Sequence, residues 1–92
     1  MSNKIKCSHI LVQKQSEALA VLERIKNGEK FGKLATELSI DSGRAIRDGN
    51  LGSCGMGKMV KEFENAAFNL QACQISDPVK TKYGYHIIKR LS

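Results

Sequence analysis

From Lys4 to Val12 polar and apolar residues first alternate, with Lys4, Lys6 and Ser8 on one side and Ile5, Cys7 and His9 on the other. The run then becomes apolar on both sides at Ile10-Leu11-Val12. That change predicts a strand whose end is covered on both faces. Ser16 is a good N-cap, the apolar positions 18, 19, 21, 22 and 25 recur at helical spacing, and Gly28 stops the pattern, so Glu17 to Asn27 reads as a helix. Phe31, Leu34, Ala35 and Leu38 fall at i, i+3, i+4 and i+7 and predict a second, short amphipathic helix ending near Ser39-Ile40.

Asp41 to Gly55 is rich in glycine and reads as a loop holding one short strand, Asn50-Leu51-Gly52-Ser53. Phe63, Ala66, Ala67 and Leu70 repeat the helical spacing and predict a third helix. Pro78 confines Ser76 to Thr81 to an edge strand or to a strand that begins there. A turn at Lys82-Tyr83-Gly84 leads into Tyr85-His86-Ile87-Ile88-Lys89, a central strand by its two-sided apolarity. The order β-α-α-β-α-β-β, with the longest strands at the termini, predicts an α+β domain in which a four-stranded sheet is flanked by helices. Terminal strands paired in the middle of that sheet would tie both ends down.

Composition changes this picture little. The 92 residues show no repeat or low-complexity stretch and are read as a single domain, 1–92; 41% hydrophobic and 26% charged residues is a globular balance. No apolar run approaches the roughly 20 residues of a membrane span. The polar start Met1-Ser2-Asn3-Lys4 leaves no room for a secretory leader, so a cytoplasmic location is expected. Cys7, Cys54 and Cys73 are odd in number and far apart, which suits neither a disulfide framework nor a CxxC site; reduced thiols are expected.

Charge adds more. The net +6 is spread along the chain, a basic surface and not a basic tail, and from Pro78 onward Lys80, Lys82, Lys89 and Arg90 face no acid in sequence. That end is expected to attract acidic partners. With two Tyr and three Phe there is little aromatic surface for stacking bases, so a nucleic-acid partner is not expected.

The only two histidines, His9 and His86, lie on the two strands predicted to be central. If those strands are neighbours, the imidazoles can meet. Alternation puts Cys7 on the face of His9, and Thr81 and Asp41 sit at a strand end and a loop that could approach the pair. The plainer alternative is a pair of hydrogen-bonded core histidines. Neither CxxC nor HxxxH spacing is present, so no metal or cofactor is expected. Cys7, inside a strand, fits an inert small hydrophobe better than a nucleophile.

Five segments, Cys7-Ser8-His9-Ile10-Leu11-Val12, Phe31-Gly32-Lys33-Leu34-Ala35, Asp48-Gly49-Asn50-Leu51-Gly52, Gly57-Lys58-Met59-Val60-Lys61-Glu62-Phe63-Glu64 and Gly84-Tyr85-His86-Ile87-Ile88-Lys89, together resemble the parvulin family of peptidyl-prolyl isomerases, in family order. The likeness covers nearly the whole chain and is to the minimal single-domain form. It implies a mostly antiparallel four-stranded sheet with about three to four helices, including a short one before the second strand. It implies catalysis of cis/trans rotation about Xaa-Pro bonds, in aid of protein folding. It places Cys7, His9, Asp41, Thr81 and His86 in a hydrogen-bonded active-site cluster, and Leu51, Met59 and Phe63 around the proline ring. Apolar walls with an adaptable Met suit such a plug. Partners are then proline-containing peptides and unfolded or nascent chains, met by a monomer.

A carboxylate at Asp41 is a poor nucleophile toward an unactivated amide, so a non-covalent mechanism is expected. Between Val12 and the first helix there is no arginine cluster for a phosphate, so unphosphorylated substrates are expected, with an apolar residue before proline and basic ones tolerated. Three residues depart from the family pattern: Cys54 where an aromatic is usual, Glu62 where proline is common, and Cys73 where glycine often closes the third helix. The first of these keeps a rival reading open, a non-catalytic peptide-binding or chaperone module. An acidic-surface binder, of nucleic acid or anionic lipid, is the other.

Overall fold

The computed structural model describes residues 5–40, 49–54 and 60–91, with residues 50–54 known by their backbone alone. The elements are β1 (Ile5–Val12), α1 (Gln15–Lys26), α2 (Phe31–Leu38), β2 (Asn50–Cys54), α3 (Lys61–Asn69), β3 (Val79–Thr81) and β4 (Gly84–Arg90). This is the α+β order expected. The additional short helix implied by the family resemblance would fall in residues 41–48, outside the described residues.

The strands pair antiparallel in the order β2-β1-β4-β3, so the two terminal strands lie side by side in the middle. In their register His9 faces Ile88 and Leu11 faces His86. Because opposed residues share a face, Cys7, His9, Leu11, His86 and Ile88 all project to one side, and Ile10, Val12 and Ile87 to the other. Both strands are buried on both sides, which is why their sequences lose alternation.

Each side has its own cover. Ile10, Val12 and Ile87 meet Ala18 and Val21 of α1 and Phe31, Leu34 and Ala35 of α2. Ile5, Cys7 and Ile88 meet Phe63 and Ala67 of α3. Leu34, Ile10 and Ile87 are wholly buried, each contributing roughly 1.5–3 kcal/mol of apolar transfer.

α1 begins two residues earlier than its sequence suggested. Its N-cap is Lys14, not Ser16, because the Glu17 carboxylate reaches back to accept from the Lys14 backbone N–H at 3.0 Å. This is half of a capping box, since a lysine side chain offers no acceptor to complete it. At the other end Arg24 forms a bidentate pair with Glu29, at 2.8 Å for both bonds, and touches Glu37 of α2 at 3.2 Å. The Arg24 hydrogen bond holds the Glu29 carboxyl below its usual range.

Cys73 has φ +68°, the left-handed conformation expected from the missing glycine. It is not the helix cap, however. Leu70 caps α3 with φ −79°, and Cys73 sits in the turn beyond, where its N–H donates to the Arg90 carbonyl.

Candidate active site on the α3 face of the sheet

β1 and β4 present His9 and His86 diagonally across their shared face, and the two Nδ1 atoms meet at 2.9 Å. The rings stack with centroids 5.1 Å apart and 27° between planes. His86 Nε2 lies 2.8 Å from Thr81 Oγ1 at the end of β3, and the Tyr83 N–H donates to the same hydroxyl at 3.2 Å. Thr81, His86 and His9 therefore form one hydrogen-bonded chain.

Two Nδ1 atoms at this distance share a single proton, one ring donating and the other accepting. If the Thr81 hydroxyl donates to His86 Nε2, a neutral His86 donates through Nδ1 to His9. If Nε2 donates to Thr81, the direction reverses along the whole chain. Two imidazolium rings would point N–H at N–H, so the geometry excludes a doubly cationic pair.

Phe63 closes the chain from α3. Its ring stands edge-on to both imidazoles, 5.9 Å from His9 at 76° and 5.3 Å from His86 at 80°. Cys7 lies two residues before His9 on the same strand face and is completely buried beside Phe63 and Ile88. The site residues expected from sequence thus divide. Cys7, His9, Thr81, His86 and Phe63 come together, whereas Asp41, Met59 and the Leu51 side chain lie outside the described residues. So does the Cys54 side chain.

Burial separates the assembled residues further. Phe63, His9 and His86 are 1%, 2% and 3% exposed, and Thr81 is 9% exposed. Thr81 is the member of the chain that lines an open cleft of about 570 Å³, with Val60, Lys61, Glu62, Lys80 and Lys82. The histidines lie beneath the surface and connect to the cleft through Thr81. A prolyl ring could meet Phe63 only where neighbouring side chains move aside.

Several positioning residues escaped the sequence reading. Gly49, at φ +81°, accepts the His9 N–H at 2.9 Å through its carbonyl, and a Cβ there would lie 2.3 Å from the His9 carbonyl oxygen. Only glycine lets this loop close on β1 beside His9. Ser39 Oγ accepts the Leu11 N–H at 3.0 Å, and the Ile40 N–H donates to the Leu11 carbonyl at 2.8 Å, so the chain leading to Asp41 is moored to the histidine strand. Ser76 exchanges two hydrogen bonds with Ile88, at 2.8 and 3.0 Å, and fixes the approach to β3. The Asp-Gly pair at 48–49 is a turn signal, but nothing local says which strand the turn touches.

The basic end expected from sequence also divides. Lys80 and Lys82 are exposed. Arg90 is not part of a cationic surface, because its guanidinium donates to the Phe68 carbonyl at 3.5 Å and to the Leu70 carbonyl, where it caps the end of α3. Lys89 is half-buried and, by alternation, on the α1/α2 side of the sheet. Among the described residues no group of three or more His, Cys, Asp or Glu side chains is placed to hold a metal, and no helix is long and apolar enough to cross a membrane.

Residues 9–92 match the family profile of the rotamases, described as the PPIC-type PPIase domain. Foldase protein PrsA of Geobacillus kaustophilus is 56% identical over 86 residues, which are 94% of this chain and 31% of that protein. The chain thus spans about a third of the length of the curated relatives it matches. Among solved structures, the parvulin NmPin of Nitrosopumilus maritimus is 66% identical with a TM-score of 0.90, covering 100% of this chain and 99% of that one. CsPin of Cenarchaeum symbiosum is 70% identical with a TM-score of 0.87, covering 100% and 95%. The chain belongs to the PPIC-type peptidyl-prolyl isomerase family, the parvulins.

Proposed function

We propose that this domain catalyses cis/trans rotation of Xaa-Pro bonds in unphosphorylated polypeptides, non-covalently and as a monomer, and so assists the folding of unfolded or nascent chains. The observation that carries this reading is the buried Thr81-His86-His9 chain, capped by Phe63 and opening to a cleft at Thr81. Every part of it comes from one chain. The mechanism follows from the barrier. Rotation must break amide resonance, at about 18–20 kcal/mol for a peptide bond. A 10⁴-fold acceleration requires lowering it by about 5.5 kcal/mol.

In the twisted amide the nitrogen regains its lone pair and the carbonyl swings out of the peptide plane. Groups held in fixed orientation near the prolyl bond favour that state over the planar one. Thr81 is oriented by His86, which is oriented in turn by His9, so the hydroxyl is held by a chain that needs no rearrangement as the amide turns. Phe63 keeps water from the imidazoles. Asp41, next to the moored Ile40, is the carboxylate we assign to repel or reorient the carbonyl oxygen, and the family resemblance assigns Leu51 and Met59 to hold the ring with Phe63.

The test is exchange NMR on short Xaa-Pro peptides with the protein at a small fraction of their concentration. Faster exchange that is greatly reduced in Met59→Ala, and no greater for phosphoserine-proline than for serine-proline, is the expected result. Line broadening without faster exchange would instead indicate a peptide-binding module.

A further inference from the structure

Among the described residues, the cleft beside Thr81 is lined by three lysines, Lys61, Lys80 and Lys82, and one carboxylate, Glu62. Lys61 and Glu62 open α3, and Lys80 and Lys82 flank Thr81 at the end of β3 and in the turn after it. All four are exposed. β3 is an edge strand, so Lys80, which alternation puts on the face away from Thr81, meets the cleft at its rim. Lys82 carries its ammonium 5.2 Å from the centre of the Tyr83 ring, on the same turn. The described lining charges sum to two positive, in a concavity whose wall includes Thr81 of the histidine chain.

We propose that this cleft is the subsite for a residue flanking the substrate proline, and that it selects peptides carrying an aspartate or glutamate there. The inference rests on the isomerase reading above and deepens it, replacing the sequence expectation of an apolar or basic-tolerant neighbour. A segment running through the cleft places a side chain next to proline among Lys61, Lys80 and Lys82. A carboxylate gains there, and an ammonium is repelled. Glu62 opposes the selection, so its removal strengthens it. The wall shared with Thr81 ties the cleft to the histidine chain, which favours the peptide substrate itself as the occupant.

Matched peptides with Glu, Gln or Lys immediately before or immediately after proline provide the test, in two readouts. Exchange NMR gives kcat/KM, and titration of the backbone amide signals of residues 61 and 80–82 gives Kd. At low salt the Glu peptide is expected to exceed the Lys peptide about threefold or more at one of the two positions, the scale of two or three exposed charge contacts. The difference shrinks at about 1 M salt, where the screening length is about 3 Å. Lys61→Glu with Lys82→Glu reverses it, and Glu62→Gln enlarges it. The first exchange also puts an acid at a helix N-terminus, where it is favourable, so these variants keep their fold. Equal Glu and Lys values at both positions, or a preference unchanged by the double charge reversal, would overturn the inference. A Glu preference in Kd without faster exchange of any peptide would leave the acidic subsite standing and refute the isomerase reading.

Discussion

The two faces of the central strand pair are built from alternate residues of the same two strands, yet they differ in kind. Toward α1 and α2, β1 and β4 present Ile10, Val12 and Ile87 to an apolar cluster. Toward α3 they present Cys7, His9 and His86, with the Phe63 ring edge-on to both imidazoles. One face carries transfer free energy and needs no particular geometry beyond close packing. The other holds polar groups that must each find a partner, and the partner chain ends at the surface on Thr81. The packed face and the polar face share a backbone but not a side, so each can be perturbed separately.

The largest effect is expected on the first face. Leu34→Ala empties a wholly buried site and should cost about 2–5 kcal/mol in urea unfolding, while the exchange rate per folded molecule stays close to that of the parent. A comparable loss of rate would break the separation. Gly49→Ala comes next. It forces a Cβ against the His9 carbonyl at φ +81°, at about 1–3 kcal/mol of backbone strain. It should lower activity as well as stability, since the displaced group belongs to the histidine strand.

Thr81→Val preserves shape and removes the hydroxyl that partners His86 Nε2. Stability should fall by about 1–3 kcal/mol for the unsatisfied ring nitrogen. Activity should fall about tenfold, equivalent to about 1.4 kcal/mol, and the readout that separates this from a structural effect is kcat/KM corrected for folded fraction. The smallest effect is a gain. Cys73→Gly relieves a left-handed cysteine in the exposed turn after α3 and should stabilise by about 0.5–1 kcal/mol, seen as a higher Tm with unchanged exchange rates.

Most of the first face was legible in the sequence, because it is periodic. Phe31, Leu34 and Ala35 announce a helix face, and the run Ile10-Leu11-Val12 announces two-sided burial. The second face was legible only in its ingredients. Two histidines on two central strands suggested a meeting, but the diagonal register that brings Nδ1 to Nδ1 is set by the strand pairing, and the orientation of His86 by Thr81 across the β3–β4 turn.

What escaped was longer in range. Ser39 and Ser76 look like ordinary residues at element ends, and their hydrogen bonds to Leu11 and Ile88 exist only once the sheet is assembled. Arg90 counted as surface charge until α3 ended beside it. Ser16 lost the N-cap to Lys14 because a carboxylate three residues inside the helix reached back further than local propensity indicates. For Ser39, Ser76 and Arg90 a tertiary partner outweighed the local signal, and at Lys14 one local signal outweighed another.

The central claim is that the buried histidine chain acts on a prolyl bond through Thr81. The most direct measurement is exchange NMR of one Ala-Pro peptide with substoichiometric protein, parent against His86→Ala, with the amide spectrum of each recorded in the same tube to show that it is folded. Faster exchange is expected with the parent, and a loss of about tenfold or more in the folded variant. A folded His86→Ala protein that accelerates exchange as well as the parent would contradict it.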